Sequence, residues 1–165
     1  MGNYEWLREL LKGMTRDEVS ELLPDTLWDI YDTCGPAVLF SLLENLPKVP
    51  IYIGPQTVDV AVLRPNFPRK KALAALPEKA RYIYKRCGRA VLLALLNRLP
   101  GVELYIAPDG LKAARTRYVR SHFNGRNVPE LALRLGVSTC HIYQIISAQN
   151  KPPCAPPAYT PRLPF

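Results

Sequence analysis

The chain has 165 residues, of which 48% are hydrophobic, and this is enough apolar material for one or two small globular domains. Its 22 lysine and arginine residues outnumber 14 acidic residues, and the formal net charge of +8 favours a polyanionic partner. No apolar run reaches the ~18 residues of a membrane span, and the N-terminal segment is amphipathic with acidic residues. We therefore expect neither a signal peptide nor a membrane partner, and a cytoplasmic location.

Two short helices are predicted at the N-terminus, over residues 4–12 and 15–23, because apolar side chains recur there at helical spacing. Thr15 precedes the second helix, and Glu18 follows three residues later. This spacing predicts a capping box, in which each residue's side chain bonds the backbone of the other. We interpret both helices as core-packing elements.

An internal repeat follows. Residues 23–55 align without gaps on residues 76–108, at an offset of 53, with 17 of 33 positions identical. Each copy predicts a helix up to a Cys-Gly pair, a second helix ending at Leu-Pro, and a brief strand over 49–53 or 102–106. A unit of this size is too small to bury its own apolar face, so each copy needs a partner. We expect that partner to be the other copy.

Charge supports the pairing of unlike copies. Residues 1–55 contain four basic and nine acidic side chains, for a net charge of −5, whereas residues 56–108 contain ten and three, for +7. The pairing is open between an intrachain pseudo-dimer and an exchange between two chains of a homodimer. The side chains predicted to form this interface are Leu39, Leu42, Leu43, Tyr52, Ile53, Leu92, Leu95, Leu96, Tyr105 and Ile106.

The copies are joined by a predicted linker over residues 56–72. It contains VDVAVL, whose alternation predicts an edge strand, and then RPNFPRKK, a basic segment interrupted by proline. Arg69, Lys70 and Lys71 either contact phosphate or belong to a solvated linker.

A helix is predicted from about residue 111 to 123, and two more follow over residues 128–147. Gly136 falls where the chain must turn sharply, which is typical of a helix-turn-helix. Asn127 and Glu130 predict a capping box for the first of the two helices, and Ser138 is the predicted N-cap of the second. The second helix is the predicted recognition helix.

This C-terminal region has the charge of a phosphate-binding surface. From Asp109 onward, eight basic residues face two acidic ones, for a net charge of +6. The predicted base contacts lie off the apolar stripe of the recognition helix: Ser138, Thr139, His141, Tyr143, Gln144 and Ser147. The predicted phosphate contacts are Arg115, Arg117, Arg120, Arg126 and Asn127.

The run RYVRSHFNGRNVPELALRLGVSTCHIYQII resembles the C-terminal DNA-binding domain of the Mor/C family of phage transcription activators, over about residues 113–147. The repeat is similar to the family's dimerisation unit through its G-x-A-V-L segment and its Tyr-Ile strand. The family has one such unit per chain, and this chain has two. The family's Gly-Gly before the strand is replaced here by Leu46-Pro47 and Leu99-Pro100-Gly101.

The resemblance implies a protein that binds double-stranded promoter DNA as a dimer, contacts bacterial RNA polymerase and activates phage genes in the host cytoplasm. A different class of function stays open beside it. A protein-interaction module, such as an antiactivator or adaptor that binds another Mor-like protein, would also fit one helix-turn-helix on a repeated unit.

Enzymatic activity, a metal and a cofactor are not expected. The four cysteines form no C-x-x-C pair and have no histidine at zinc spacing. The two histidines lie on different helices without a nucleophile and an acid arranged around them, and no glycine-rich phosphate loop occurs. The tail, residues 151–165, contains six prolines and is predicted to be disordered or extended, with a docking peptide as the alternative.

The sequence therefore predicts a mainly α-helical fold with two short β-strands. A tandem helix-helix-strand repeat forms a pseudo-dimer, and a three-helix DNA-binding domain follows. The predicted divisions are 1–55 for the N-terminal helices and first repeat, 56–72 for the linker, 73–108 for the second repeat, 109–150 for the DNA-binding domain and 151–165 for the tail.

Overall fold

The computed structural model describes residues 4–46, 50–52, 58–106 and 108–148, and within these ranges the fold is mainly helical, as predicted. The described helices are α1 (Glu5–Leu11), α2 (Arg16–Leu22), α3 (Asp25–Cys34), α4 (Pro36–Asn45), α5 (Arg69–Ala75), α6 (Glu78–Cys87), α7 (Arg89–Arg98), α8 (Lys112–His122), α9 (Val128–Leu135) and α10 (Thr139–Ser147). Two strands, β1 (Pro50–Tyr52) and β2 (Glu103–Tyr105), and two 3-10 turns, Val60–Leu63 and Pro108–Leu111, complete the described elements.

The start of α2 has the predicted capping box. The hydroxyl of Thr15 accepts from the backbone N–H of Glu18 at 3.4 Å, and the carboxylate of Glu18 accepts from the backbone N–H of Thr15 at 3.0 Å. Two backbone donors that the helix leaves without partners are thereby satisfied. The prediction for this helix start is confirmed.

A glycine at the equivalent position separates the two helices in each copy. Gly35, between α3 and α4, has φ 90° and ψ 164°, and Gly88, between α6 and α7, has φ 88° and ψ 172°. Only glycine adopts this backbone region without considerable strain. The chain therefore breaks its helix at equivalent points in both copies.

The two strands pair with each other, so the copies meet within one chain. The sheet is antiparallel, and Ile51 lies opposite Leu104. These two residues are separated by the repeat offset of 53, so equivalent positions face each other. The two copies are therefore related by a local twofold axis that passes between Ile51 and Leu104.

The cysteines obey the same twofold relation. The thiol of Cys34 donates to the carbonyl of Ala94 in the second copy at 3.8 Å, and the thiol of Cys87 donates to the carbonyl of Ser41 in the first copy at 3.7 Å. Burial raises the pKa of both thiols above the ordinary value. Cys34 and Cys87 are therefore neutral thiols at the contact between the copies, and they form no disulfide with each other.

Leucines of α4 and α7 fill the space between the copies. α4 contacts both α6 and α7, and α3 contacts α7. Of the predicted interface residues, Leu96 is partly buried, and the following are at most 1% exposed: Leu39, Leu42, Leu43, Leu92, Leu95 and Ile106. Ile53 and the side chains of Tyr52 and Tyr105 lie outside the described part of the chain.

The edge strand predicted for VDVAVL is wrong. Residues Val60–Leu63 form a 3-10 turn, because the carboxylate of Asp59 accepts from the backbone N–H of Ala61 at 2.9 Å and turns the chain there. Arg89 donates to the carbonyls of Arg64 and Pro65, both at 3.0 Å. These bonds hold the segment against α7 instead of leaving it extended. The predicted linker also ends early, since α5 begins at Arg69.

We expect Cys34 and Cys87 to resist alkylation at neutral pH, because the pKa of each thiol is raised and each is partly buried against the other copy. Cys140 is exposed on α10 and is the matched control. Peptide mapping after brief iodoacetamide treatment measures the three rates. Equal modification of Cys34, Cys87 and Cys140 in the folded protein would contradict the pairing of the copies.

Candidate nucleic-acid interface

The three helices α8, α9 and α10 follow the second copy and form a small unit, here called the C-terminal unit (residues 112–147). α10 contacts α8 and α9, and the interior is made by fully buried side chains that include Tyr118, Val119 and Ile142. Ile145 lies at its margin, 9% exposed. The apolar stripe predicted for α10 therefore faces inward and leaves its polar side outward.

A tight turn connects α9 to α10. Gly136 has φ 63° and ψ 37°, the left-handed conformation in which glycine commonly ends a helix. The N–H of Val137 then donates to the carbonyl of Ala132 at 3.0 Å. Ser138 begins the next helix, and its hydroxyl accepts from the N–H of His141 at 3.2 Å. The predictions for Gly136 and for the Ser138 cap are confirmed.

The capping box predicted for α9 is wrong. Asn127 precedes the helix, but its side chain makes no capping hydrogen bond. Its amide instead donates to the carbonyl of His122 at 2.8 Å and its Oδ1 accepts from the N–H of Asn124 at 3.1 Å. The backbone of Asn127, at φ −92° and ψ 25°, is not extended as a capping residue requires. Asn124 and Asn127 together close the loop between α8 and α9.

The exposed side of α10 presents polar groups of several types. Thr139, Tyr143 and Gln144 are exposed, with Tyr143 at 60%, and within the described residues no hydrogen bond engages their side chains. Ser138 is engaged in the cap, and Ser147 donates to the carbonyl of Gln144 at 3.2 Å. His141 is partly buried. Three of the six predicted base contacts therefore have unengaged, accessible polar groups.

The four arginines among the predicted phosphate contacts differ in how free their guanidinium groups are. Arg120 and Arg126 are exposed and have no ion pair in the described part of the chain. Arg115 is partly buried, and its Nε lacks a hydrogen-bond partner. Arg117 is different, because its guanidinium pairs with Glu18 of α2 at 3.0 Å. Free positive charge therefore lies at Arg120 and Arg126.

The C-terminal unit packs on the N-terminal helices. α8 contacts both α1 and α2, which precede the first copy, although α8 itself follows the second. Trp6, 2% exposed, meets the edge of Tyr118 with ring centroids 5.7 Å apart, and the Tyr118 ring stacks on His122 at 4.0 Å. Aromatic pairs of this geometry add about 0.5–1.5 kcal/mol to the burial of their surface.

Glu9 of α1 binds three groups of the C-terminal unit. Its Oε2 accepts from the Tyr118 hydroxyl at 3.1 Å and from Arg134 at 2.9 Å, and Nε2 of His122 lies 4.0 Å from Oε1. Burial and the hydrogen bond to Glu9 raise the pKa of Tyr118, so the phenol stays a donor. Glu9 therefore fixes the orientation of the unit on α1.

A second acidic contact lies at Glu18 of α2. The pKa of this carboxyl is lowered, mainly by its hydrogen bond from the Thr15 backbone N–H. The Thr15 hydroxyl and Arg117 lower it further. Glu18 is therefore ionised at neutral pH and accepts from Arg117 on α8. The sequence contained the signal for this docking, namely acidic residues at one end of the chain and basic residues at the other. It did not indicate which pairs would meet, because Glu18 and Arg117 are 99 residues apart.

The described residues contain no group of three side chains that could hold a metal ion, and none of the described helices has the length and apolar character needed to cross a membrane.

Comparison with models of protein families shows which family this chain belongs to. The model of the Mor transcription activator family matches residues 70–156, more than half of the chain. This chain belongs to the Mor transcription activator family. A search of curated proteins and a search of solved structures found no match. The Mor match begins within α5 and includes the second copy and the C-terminal unit, whereas the first copy lies before it. The role in transcription regulation follows from this membership.

We expect Trp6→Ala to lower the free energy of unfolding by about 3–5 kcal/mol, because it removes a fully buried aromatic ring between α1 and α8. Trp28→Ala is the matched control, since Trp28 is only partly buried on α3 and does not contact the C-terminal unit's aromatic pair. Urea unfolding followed by circular dichroism measures both. If the two variants lost equal stability, Trp6 would not be a main contributor to the contact between α1 and α8.

Proposed function

We propose that this Mor-family protein is a sequence-specific, double-stranded DNA-binding regulator that activates phage or prophage genes. The observation that supports this most is the exposed polar side of α10, together with the exposed Arg120 and Arg126 of the same unit, which have no ion pair among the described residues. A helix that packs by one apolar stripe and presents small and polar groups outward fits the major groove. The protein acts by binding, without catalysis or a cofactor.

In this proposal α9 and α10 form a helix-turn-helix, and α10 enters the major groove. Gln144 has the amide that pairs with adenine through two hydrogen bonds, and Thr139 and Tyr143 supply hydroxyl groups. His141 and Ser147 stand beside them, and Ser138 positions the first turn of the helix through its cap. Arg120, Arg126 and Arg115 bind phosphates, which gives affinity without sequence preference. Arg117 positions the C-terminal unit through Glu18.

The repeat supplies dimer-like architecture within a single chain. β1 and β2 pair at Ile51 and Leu104, and each cysteine thiol bonds a carbonyl of the other copy. We infer that the first copy occupies the place of a second subunit and brings no DNA-binding domain of its own. One chain then recognises one half-site, next to which it contacts bacterial RNA polymerase.

The proposal is tested by selecting bound fragments from a genomic-fragment library in moderate salt and measuring their affinity. We expect Gln144→Ala to relax the preference at one base pair by about 1–3 kcal/mol, because the bidentate contact is lost. Arg120→Ala should weaken selected and random DNA equally and lower the salt slope by about 1, because it removes one phosphate contact.

Circular dichroism of both variants serves as the folding control. Unchanged binding by both variants would show that α10 does not dock as proposed. If the wild-type protein retained no fragment at all, the second candidate would replace the first. The chain would then be a protein-interaction module such as an antiactivator or adaptor for another Mor-like protein, a role that a single C-terminal unit on a paired repeat also permits.

A further inference from the structure

The structural repeat begins before the two aligned copies, whose sequence similarity starts at residues 23 and 76. α2 (Arg16–Leu22) and α5 (Arg69–Ala75) are separated by the repeat offset of 53, as are α3 and α6. Yet the segments have opposite charge. Residues 16–33 contain one basic and six acidic side chains, whereas residues 69–86 contain seven basic and one acidic. Elements related by the local twofold therefore present an acidic face and a basic face.

The acidic face has an occupant in the structure. Glu18 on α2 binds Arg117, and Glu9 on α1 binds Arg134, so the C-terminal unit docks there. At the offset of 53, Glu18 corresponds to Lys71 and Glu9 to Val62. Neither residue pairs with arginine. The second copy therefore cannot receive a C-terminal unit in the same way and fits a ligand of the opposite charge.

The basic face is accessible. We define it by Arg69, Lys70, Lys71, Lys79 and Lys85, all of which are exposed and free of ion pairs within the described residues. Two further cations of this segment are already engaged, since Arg81 donates to the carbonyl of Leu76 and Arg86 lies over the ring of Tyr82. The segment has one acidic side chain, Glu78, so its cations are left in large excess and repel one another, and a polyanion relieves that repulsion.

We propose that the basic face binds the sugar-phosphate backbone of the DNA beside the half-site that α10 recognises. The proposal rests on the proposed function. Four of its five charges are lysines, which act as point charges toward phosphate and have no base preference. In twofold-symmetric helix-turn-helix dimers, half-sites lie about one helical turn apart. The basic face, on the twofold-related side, therefore contacts flanking phosphates about one turn away and replaces the missing second recognition helix.

The test compares wild type with the double variant Lys70→Ala, Lys71→Ala on a duplex taken from the selected fragments. One duplex extends about one helical turn past the half-site on both sides, and a second is trimmed to the half-site. Lys12→Ala is the control, because Lys12 is an exposed lysine at the end of α1 and is not one of the residues that define the basic face. Affinity is measured from about 50 to 200 mM salt, with circular dichroism to verify folding.

For the long duplex, we expect the double variant to lower the salt slope by about 2 and to weaken binding by about tenfold at the low-salt end. The trimmed duplex should bind wild type and variant equally, and Lys12→Ala should match wild type on both. Hydroxyl-radical footprints should lose flanking protection in the double variant and keep protection at the half-site.

An unchanged salt slope and footprint in the double variant would overturn this inference while leaving the proposed function intact. Absence of any DNA binding by wild type would overturn both. A third outcome is that the double variant binds DNA as tightly as wild type does and yet fails to activate transcription. That result would overturn the inference and would indicate that the ligand of the basic face is an acidic protein surface.

Discussion

The pairing of the two copies is the contact on which the rest of the structure depends. Each copy is two short helices and a three-residue strand, with an apolar face that it cannot bury alone. The opposition of Ile51 and Leu104 and the reciprocal thiol bonds place the leucines of α4 and α7 in one shared core. Without this pairing, the fully buried leucines of both copies would face water, at about 1.5–3 kcal/mol for each.

The C-terminal unit depends on that pairing for its position. It is joined by the chain to the second copy, but it docks on α1 and α2 ahead of the first. Closing the copies therefore brings Glu9 and Glu18 to Arg134 and Arg117, and Trp6 to Tyr118. Exposed ion pairs each contribute up to about 1 kcal/mol, so the aromatic contact supplies most of the docking energy and the acids select the orientation. α10 is thereby held at a defined place on the paired copies.

Local features of the sequence predicted local structure well. The Thr15 capping box, the Gly136 turn and the Ser138 cap depend on residues within a few positions of each other, and all three are observed. The two misplaced elements depended on side-chain bonds to near neighbours that the hydrophobic and capping patterns do not specify. The segment before Arg64 alternates like a strand, yet the Asp59 carboxylate accepts from the N–H of Ala61 and turns the chain there. Asn127 is a residue type that often caps helices, but its side-chain amide donates to the carbonyl of His122 instead. The docking of α8 on α1 joins opposite ends of the chain, which no local pattern specifies.

The central claim is that one chain contains its own dimerisation partner and presents a single DNA-binding unit. Light scattering of the protein bound to a selected duplex tests this most directly. The account predicts a free protein of one chain mass, 18.6 kDa, and one chain per half-site on the DNA. A free protein of twice that mass, which binds DNA only as a two-chain particle, would show that the copies pair between chains and would contradict the account.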